Sequence, residues 1–451
     1  MSTTFDLVAV GSGTAASTAA FMCAKAGWSV AVVDSRPFGG TCALRGCDPK
    51  KVLLGGAEAV DFVRRMRGHG VSGEAFIHWS ELLDFKRSFT EPVPGERQEG
   101  FRKAGITTFR GRARFVDEET VAVDGEHLHA GNVLLANGAM PAPLPFEGAD
   151  LLLDSAGFLD LDALPDRIVF VGGGYITMEF AHLALRAGCK VTIVQSAARP
   201  LVKFDPDLVD RLSDTTRRLG ADLHVGTRVT RIERRSGGIV LTGESDGGAF
   251  RVEADLAVHG AGRVPELDDM DLERANVTRT ERGVRVNEYL QSISNPRVYA
   301  AGDAADTPGM PLTPVAGMES RVAASNLLEG NHRKPDYRAV PSVAFTEPPI
   351  ALVGLTEHEA VVSGLAVDVR HGDMSDWFTY RRVGARAAAY KIVVDRDRDV
   401  VVGAHLLGSG ADELINLFAL AIRCEIAVGD LKDTLFAYPT HASDAAHMLR
   451  S

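Results

Sequence analysis

The chain has 451 residues, more than one simple hydrophobic core can organise, so we expect two to four domains. Its 49 Lys and Arg residues against 60 Asp and Glu residues give a formal net charge of -11, and the acidic residues are spread along the chain. This balance argues against nucleic acid or a membrane surface as a main partner, and no apolar run approaches the roughly 18 residues typical of a membrane span.

The N-terminus passes from a few polar residues directly into a strand pattern, without the basic and apolar segments of a secretion signal. We therefore expect a cytoplasmic location. Five cysteines in such a chain do not suggest a structural disulfide framework, because the cytoplasm keeps most thiols reduced. A close pair of cysteines there is more often catalytic or metal-binding.

The first predicted unit, residues 5–34, runs from a strand through glycines into an Ala-rich helix and ends in a second strand. Gly11, Gly13 and Ala16 occupy the passage from strand to helix, as in a dinucleotide-binding fingerprint. The glycines let the backbone approach a pyrophosphate, and the helix N-terminus supplies N–H donors. Asp34 ends the second strand, about 20 residues further on, where a carboxylate can accept hydrogen bonds from both ribose hydroxyls.

The next stretch, GGTCALRGCDPKK, contains two cysteines, Cys42 and Cys47. At this separation on a regular helix they lie too far apart for a disulfide, so bridging them needs a distorted turn, which Gly46 and Pro49 permit. Helix amides and the two following lysines favour the thiolate form. The pattern is that of a redox couple. A zinc site lacks further ligands at the usual spacing, and two inert thiols are the remaining alternative.

A second copy of the strand–glycine–helix–strand unit occupies residues 166–195, and about residues 50–105, between the copies, are predicted to be helical. Gly172 and Gly174 form its turn, but Gln195 stands where the first copy has its acid. Because no carboxylate there would repel a 2′-phosphate, and Arg199 and Lys203 are close enough to contact one, we favour NADP over NAD. The alternative is that both cations are ordinary surface residues.

From about Val340 the pattern changes to alternating strands and helices, which predicts a separate α+β domain. The expected fold class is therefore α/β, with two Rossmann-like dinucleotide-binding domains followed by a C-terminal α+β domain.

The sequence resembles the flavin-dependent pyridine nucleotide-disulfide oxidoreductases, the group of glutathione reductase, dihydrolipoyl dehydrogenase and mercuric reductase. Motifs of this family occur in its order over nearly the whole chain: the first glycine fingerprint, GGTCALRGCDPKK, GGGYITMEFA, GAGRVPEL, YAAGDAAD, LTPVAGMESRVAASNL and FTEPPIALVGLTEHEA. The resemblance implies an FAD-binding domain at 1–145, completed by about 286–338, an NAD(P)H-binding domain at 146–285 and a dimerisation domain at 339–451. It also implies a homodimer that uses FAD and NADPH, with NADH as the alternative.

The resemblance also implies roles by position. Cys47 is then the charge-transfer thiol beside the flavin, and Cys42 is the interchange thiol that attacks the substrate. Lys51 lies near flavin N5 and pairs with Glu179, and LTPVA at 312–316 places a helix N-terminus near the flavin's pyrimidine side. Tyr175 gates the nicotinamide pocket. The other implied cofactor-binding positions are Gly40, Thr41, Gly138, Ile176, Gly262, Arg263, Asp303, which bonds the ribityl chain, and Thr313.

The chain departs from the family pattern near its C-terminus. Tyr438 replaces the His that serves as acid/base, and Ser443 replaces a following Glu; a phenol, with a reference pKa near ~10, is a poor proton shuttle at neutral pH. His441, with Asp444 nearby, is the other candidate. Two further departures, Asn137 and Glu266, are expected to change only local hydrogen bonds. Two more, Arg45 and Asp48, stand beside the sulfurs.

These departures leave the electron acceptor open. The first hypothesis is reduction of a small-molecule or protein disulfide. The alternative keeps the flavin and cysteines but reduces a metal ion, a quinone or another electrophile, although the C-terminal cysteine pair expected of a mercury reductase is absent from the sequence. A non-enzymatic redox sensor is the third reading. No bound metal is expected.

Overall fold

The computed structural model describes residues 3–450, which form two compact units. Unit 1 contains the described residues up to Lys51, with Asp84–Ala142 and Arg263–Tyr337; unit 2 contains Val52–Leu83, Pro143–Gly262 and the described residues from Arg338 onward. The domain boundaries expected from the sequence stay a prediction.

The described residues contain helices and strands in mixed order. The α-helices are α1 (Thr14–Lys25), α2 (Gly40–Arg45), α3 (Cys47–Met66), α4 (Trp79–Thr90), α5 (Val93–Lys103), α6 (Ser155–Leu159), α7 (Tyr175–Arg186), α8 (Pro206–Arg218), α9 (Thr313–Glu329), α10 (Glu357–Val362), α11 (Phe378–Arg381), α12 (Ala411–Arg423), α13 (Val428–Asp433) and α14 (Ala445–Met448). The strands are β1 (Thr3–Val10), β2 (Val30–Asp34), β3 (Thr107–Arg110), β4 (Ala113–Phe115), β5 (Thr120–Val123), β6 (Glu126–Leu135), β7 (Ala139–Pro141), β8 (Arg167–Val171), β9 (Lys190–Val194), β10 (Asp222–His224), β11 (Arg228–Arg235), β12 (Gly238–Ser245), β13 (Gly248–Ala254), β14 (Leu256–His259), β15 (Arg263–Pro265), β16 (Arg279–Thr280), β17 (Gly283–Arg285), β18 (Val298–Ala300), β19 (Ala305–Asp306), β20 (Ser342–Ala344), β21 (Ile350–Gly354), β22 (Val367–Asp373), β23 (Ala389–Asp395) and β24 (Val400–Leu407).

The main sheet of unit 1 has the order β3-β2-β1-β6-β5-β4, and β18 also pairs with β6. Strand β1 runs parallel to β2, with Leu7 opposite Val30, and parallel to β6. Both faces of β1 are buried from Leu7 to Val10, which explains its continuous apolar sequence. Helix α1 packs between β1 and α9 with its alanine side. The first predicted strand–helix–strand unit is thereby confirmed.

Unit 2 contains the second copy and the C-terminal sheet. Strands β10-β9-β8-β14 form a parallel sheet, in which β8, α7 and β9 reproduce the arrangement of β1, α1 and β2. Strands β20-β21-β24-β23-β22 form an antiparallel sheet, and α12 packs on it through residues that include Leu414, Ile415 and Phe418. The second predicted unit and the change of character near Val340 are confirmed.

One sequence expectation was too simple. Residues 50–105 are not continuously helical: α3 ends at Met66 and α4 begins only at Trp79. Gly68, Gly70 and Gly73 in the intervening segment all have positive φ, a conformation that a right-handed helix cannot contain. Among the helices of residues 3–450, none is long and apolar enough to cross a membrane.

Candidate functional site

The first glycine turn, in unit 1, brings two backbone segments unusually close together. Gly11 has φ +103°, and a Cβ atom at this position would lie 2.4 Å from the Ala136 carbonyl oxygen. A Cβ on Gly40, at φ +76°, would lie 2.3 Å from the Cα of Gly13. Helix α1 begins directly after Gly13, and no side chain caps its N-terminus. Such a cradle fits the pyrophosphate of a dinucleotide.

Asp34 is fixed at the end of β2 by two hydrogen bonds. Its carboxylate accepts from the Ser12 hydroxyl at 2.5 Å and from the Arg36 backbone N–H at 2.9 Å. The same Ser12 hydroxyl accepts from the Gly39 N–H at 2.9 Å, so one side chain ties the glycine turn to the segment that leads to the cysteines. Ser12 is a positioning residue that the sequence reasoning missed, because nothing local indicates a bond to a strand end or to Gly39.

The cysteines flank a break between two helices. Helix α2 ends at Arg45 and α3 begins at Cys47, with Gly46 between them in a non-helical conformation. A Cβ at Gly46 would lie 2.9 Å from the Thr41 carbonyl oxygen, so the close turn requires glycine. The predicted distortion at Gly46 is confirmed. Half-buried Thr41 lies in α2, and Pro49 lies in the first turn of α3, where its missing N–H has no cost.

The two thiols are free in this structure and differ electrostatically. A hydrogen bond from Cys42, together with the charge of Lys50 and the Thr313 hydroxyl 3.8 Å from its sulfur, lowers the pKa of Cys47 to about 6. Its place as the first residue of α3 acts in the same direction, since helix N-terminal amides stabilise a thiolate. The hydrogen bond with Cys47 and burial raise the pKa of Cys42 above its ordinary value. The hydrogen bond between the sulfurs therefore favours the thiolate at Cys47 and the protonated thiol at Cys42.

A second turn of unit 1 holds Asp303. It lies in a short 3₁₀ helix, and burial raises the pKa of its carboxyl group, opposed by the charge of Arg263. The Gly302 N–H just before it donates to buried Glu319 at 2.7 Å, and Glu319 also accepts from Thr307 and Tyr337. Helix α9, which carries Glu319, begins at Thr313 without a side-chain cap, as the LTPVA motif predicted.

The departures at Asn137 and Glu266 are linked in the structure. The Asn137 amide donates to the Glu266 carbonyl oxygen, and the Glu266 carboxylate pairs with Arg36 through contacts of 2.7 and 3.0 Å. We expected these departures to change only local hydrogen bonds. The Glu266 carboxylate instead binds the guanidinium of Arg36, 230 residues away in the chain. Gly138, at φ +76°, accepts from the Glu266 N–H at 3.0 Å, and Arg263 donates to the Ala139 carbonyl.

The second glycine turn, in unit 2, repeats the first. Gly172 also has φ +103°, and a Cβ there would lie 2.4 Å from the Gly260 carbonyl oxygen. Helix α7 begins after Gly174 without a side-chain cap, with Tyr175 and half-buried Ile176 as its first residues. The Tyr175 hydroxyl is 2.6 Å from the Ser342 hydroxyl. Gly262, at φ +107°, follows Gly260 on the loop opposite this turn.

The residues expected to contact a 2′-phosphate follow the end of β9. The Gln195 amide donates to the Arg199 carbonyl at 3.2 Å, and the half-exposed Arg199 guanidinium pairs with Asp210 at 2.7 Å. Lys203 is exposed. Arg199 is thus oriented by an acid that the sequence reasoning did not include.

Lys51 and Glu179, which the resemblance pairs, belong to different units, and their pairing stays a prediction. Within unit 2, Glu179 is buried on α7 and accepts a hydrogen bond from the Phe345 N–H at 2.7 Å.

The two C-terminal candidates have opposite environments. The Tyr438 side chain is 78% exposed and stacks loosely on Phe378, with ring centroids 6.5 Å apart. The His441 ring packs against Tyr380 at 4.8 Å, its Nδ1 is buried without a hydrogen-bond partner, and burial lowers its pKa. Asp444 accepts instead from Thr379. Among residues 3–450, no three His, Cys, Asp or Glu side chains are grouped so that they could hold a metal ion.

Comparisons with known proteins agree with this geometry. Residues 5–320 match the family model described as pyridine nucleotide-disulphide oxidoreductase, and residues 340–449 match the dimerisation domain of the same name. The chain is 32% identical to a glutathione reductase of Burkholderia cepacia, over 98% of this chain and 97% of that protein. It is also 32% identical to a mercuric reductase of Staphylococcus aureus, over 97% of this chain and 80% of that protein. The solved structure of the HOCl-induced flavoprotein disulfide reductase RclA from Escherichia coli superposes with a TM-score of 0.88 at 25% identity, covering 98% of this chain and 99% of that one.

Proposed function

Since the chain belongs to the pyridine nucleotide-disulphide oxidoreductase family and is an oxidoreductase of the flavoprotein disulfide reductase type, we propose that it passes electrons from NADPH through FAD to Cys42 and Cys47 and on to a disulfide substrate. The observation that carries the proposal is the inequality of the two sulfurs. Cys47, at the start of α3, has its pKa lowered to about 6, while Cys42 keeps its proton. A charge-transfer thiolate and an interchange thiol require this difference in protonation.

The residues of the first glycine turn fit FAD. Gly11, Gly13 and Gly40 leave room for a pyrophosphate, and Asp34 presents a carboxylate to a ribose. Asp303 and the N-terminus of α9 at Thr313 would hold the ribityl chain and the pyrimidine end of the ring. When bound, the flavin supplies the step that converts hydride transfer from a nicotinamide into electron transfer to sulfur.

The second glycine turn supports NADPH as the electron donor. Gln195 presents no negative charge where a carboxylate would repel a 2′-phosphate, and Arg199 and Lys203 follow on the same loop. Asp210 holds the Arg199 guanidinium in place. We expect Arg199→Ala to raise the KM for NADPH about 10-fold and to leave the KM for NADH unchanged; equal effects on both cofactors would contradict the assignment.

The remaining site assignments follow the family pattern. Lys51 and Glu179 would form an ion pair beside the flavin, and Tyr175 would cover the nicotinamide position. The match to a dimerisation domain over residues 340–449 supports a homodimer. In such a dimer Tyr438 and His441 would face the partner's cysteines. A cytoplasmic location suits an enzyme whose cysteines must return from the disulfide to the reduced form, because the cytoplasm keeps most thiols reduced.

The substrate class is proposed from the cysteine chemistry and from the relatives' names. A glutathione reductase and a disulfide reductase act on disulfides, whereas the mercuric reductase acts on a metal ion. We favour a disulfide, small-molecule or protein, because the Cys42 and Cys47 sulfurs lie within hydrogen-bonding reach of each other, as a pair that exchanges with a disulfide must.

The test begins with anaerobic reduction of the purified holoenzyme by NADPH. We expect a long-wavelength thiolate-to-flavin charge-transfer band, which Cys47→Ser abolishes. Glutathione disulfide, a protein disulfide, a quinone and divalent metal ions are then offered in turn to the reduced enzyme. Turnover of a disulfide alone supports the proposal. Turnover of the quinone or a metal ion alone, or flavin reduction without the band, would overturn it.

A further inference from the structure

The interchange thiol has a carboxylate beside it. The Cys42 sulfur lies 3.8 Å from Oδ1 of Asp48, so its one proton can be directed either to this oxygen or to the Cys47 sulfur. Asp48 is the second residue of α3, directly after Cys47, and its side chain is exposed. Catalytic hydrogen bonds are often long before a substrate is bound. A distance of 3.8 Å is therefore compatible with Asp48 as a proton acceptor.

Asp48 is the carboxylate beside the Cys42 sulfur. Cys47, which accepts a hydrogen bond from Cys42, is the thiolate of the pair and must stay available as the second nucleophile. Thr313 contributes only a hydroxyl. Asp48 therefore offers the Cys42 sulfur a proton acceptor that is not itself one of the two reacting thiols.

The known acid/base position does not offer a substitute in this chain. Tyr438 is a phenol, which can accept a proton only after it has lost its own. That ionisation is unfavourable at neutral pH, because the reference pKa of a phenol is about 10. His441 is packed against Tyr380 and Gly410, with its Nδ1 buried. A chain with this C-terminus needs a proton acceptor from elsewhere.

We propose that Asp48 is the acid/base of the disulfide half-reaction, accepting the proton of Cys42 and returning it to the first leaving thiolate. This inference rests on the proposed function and deepens it. Both thiols and their proton acceptor then lie within seven consecutive residues, 42–48. Asp48 lies in the same first turn of α3 as Cys47.

The step balances as follows. The Asp48 carboxylate takes the Cys42 proton while the Cys42 sulfur attacks one sulfur of the substrate disulfide; the substrate S–S bond breaks, and the leaving thiolate takes the proton from Asp48. The Cys47 thiolate then attacks Cys42 in the mixed disulfide, which forms the Cys42–Cys47 disulfide and releases the second thiolate to be protonated by water. The substrate gains two electrons and the cysteine pair loses two.

Asp48 has a structural role to be separated from this one. An acid in the first turn of a helix is stabilised by the helix dipole, and Asp48 fulfils that condition. Glu96 is an exposed acid in the first turn of α5 of the same unit and provides the matched control. Glu96→Gln removes the same type of dipole interaction without altering a thiol contact.

The experiment compares the holoenzymes of Asp48→Asn, Asp48→Glu and Glu96→Gln with the wild type. We expect Asp48→Asn to reduce kcat/KM for disulfide about 100-fold, in the range typical of general acid–base catalysis, and Asp48→Glu to recover most of that loss. Alkylation of Cys42 by iodoacetamide in the reduced enzyme at neutral pH is expected to become faster in Asp48→Asn, because a neutral amide no longer opposes the thiolate. Faster alkylation with slower turnover is a combination that a structural role does not produce.

The outcomes separate this inference from the proposed function. If Asp48→Asn keeps wild-type disulfide turnover, or if turnover rises in parallel with alkylation, Asp48 does not transfer the proton. A loss in Asp48→Glu as large as in Asp48→Asn would also overturn the inference. Flavin reduction by NADPH and the charge-transfer band are expected to be unchanged in Asp48→Asn; their absence in the wild type would instead contradict the proposed function.

Discussion

At the scale of single residues, the candidate site depends on two kinds of position. At the first a side chain would not fit, and at the second a charge shifts the pKa of a neighbouring cysteine. Gly40 and Gly46 belong to the first kind, because backbone atoms of Gly13 and Thr41 occupy the space of a Cβ. Lys50 and Asp48 belong to the second, because the charge of Lys50 favours the Cys47 thiolate and the charge of Asp48 disfavours the thiolates of both cysteines. The hydrogen bond between the two sulfurs makes their chemistry unequal.

The glycine cradle gives a direct prediction. Gly40→Ala places a Cβ 2.3 Å from the Gly13 Cα at a φ of +76°, so the two segments must separate. We expect the dissociation constant for FAD to rise at least ~10-fold, equivalent to about 1.4 kcal/mol. The measurement is the flavin-to-protein absorbance ratio of the purified protein, followed by FAD titration.

The matched control for this prediction is Gly55→Ala. Gly55 lies within α3 and a Cβ there meets nothing within 4 Å, so the helix is expected to be stabilised, by up to about 1 kcal/mol, and FAD binding to be unchanged. Retention of full flavin content in Gly40→Ala would show that the close approach does not matter for FAD.

At the scale of elements, the C-terminal part of α3 is joined to α7 and to the loop before β21 by buried ion pairs of unit 2. Arg186 donates to Asp61 at 2.8 Å and to the Glu347 carbonyl at 3.0 Å, and Arg65 donates to Asp61 at 2.7 Å. The Glu347 carboxylate is 3.7 Å from the Arg65 guanidinium. Helices α3 and α7, which begin at Cys47 and Tyr175, are held at their far ends by this network.

The network predicts a pH dependence of stability. Burial, and then the charge of Asp61, raise the pKa of Glu347 to about 7 from an ordinary value of 4.5. The folded protein therefore binds this proton more tightly than the unfolded chain, and the contribution of Glu347 to stability falls as pH rises from about 4.5 to about 7, by about 3 kcal/mol at most. Above pH 7 the contribution is constant.

The measurement is the difference in melting temperature between the wild type and Glu347→Gln from pH 5 to 8. Glutamine cannot ionise, so the wild type is expected to lose stability relative to the variant as pH rises to 7. A difference that does not change with pH, or that changes in the opposite direction, would show that Glu347 titrates normally.

At the scale of the whole molecule, several exposed apolar side chains lie in the segment matched by the dimerisation domain. Leu435 is 97% exposed and Tyr438 78% exposed, and Phe378 stacks on Tyr438 at the surface. Exposed large apolar residues grouped in this way are typical of a surface that another chain covers. They support the proposed homodimer.

The dimer prediction uses Leu435→Asp. A charge placed in an apolar interface is expected to raise the dimer dissociation constant at least ~10-fold, measured by sedimentation velocity over a range of protein concentrations. Ile293→Asp, at a residue 51% exposed outside that segment, is the matched control and is expected to keep the wild-type value. An unchanged dimer in Leu435→Asp would place the interface elsewhere.

Much of the fold was predictable because its signals are local. The family, the fold class and the enzyme class predicted from the sequence are confirmed, and so are both strand–glycine–helix–strand units and the break at Gly46. The individual site roles and the domain boundaries stay predictions. The helix expected across residues 67–78 was wrong, because three positive-φ glycines were read as compatible with a helix.

The sequence by itself determined the elements and the order of the motifs, since strand and helix periodicity and the need for glycine act between residues close together in the chain. Only the tertiary structure decided which distant groups meet. Ser12 bonds to Asp34 and Gly39, and Arg36 pairs with Glu266 across more than half of the chain. The burial of the His441 Nδ1 atom was equally invisible in its motif. Such contacts form because packing brings separated segments together, and burial then sets which protons the side chains keep.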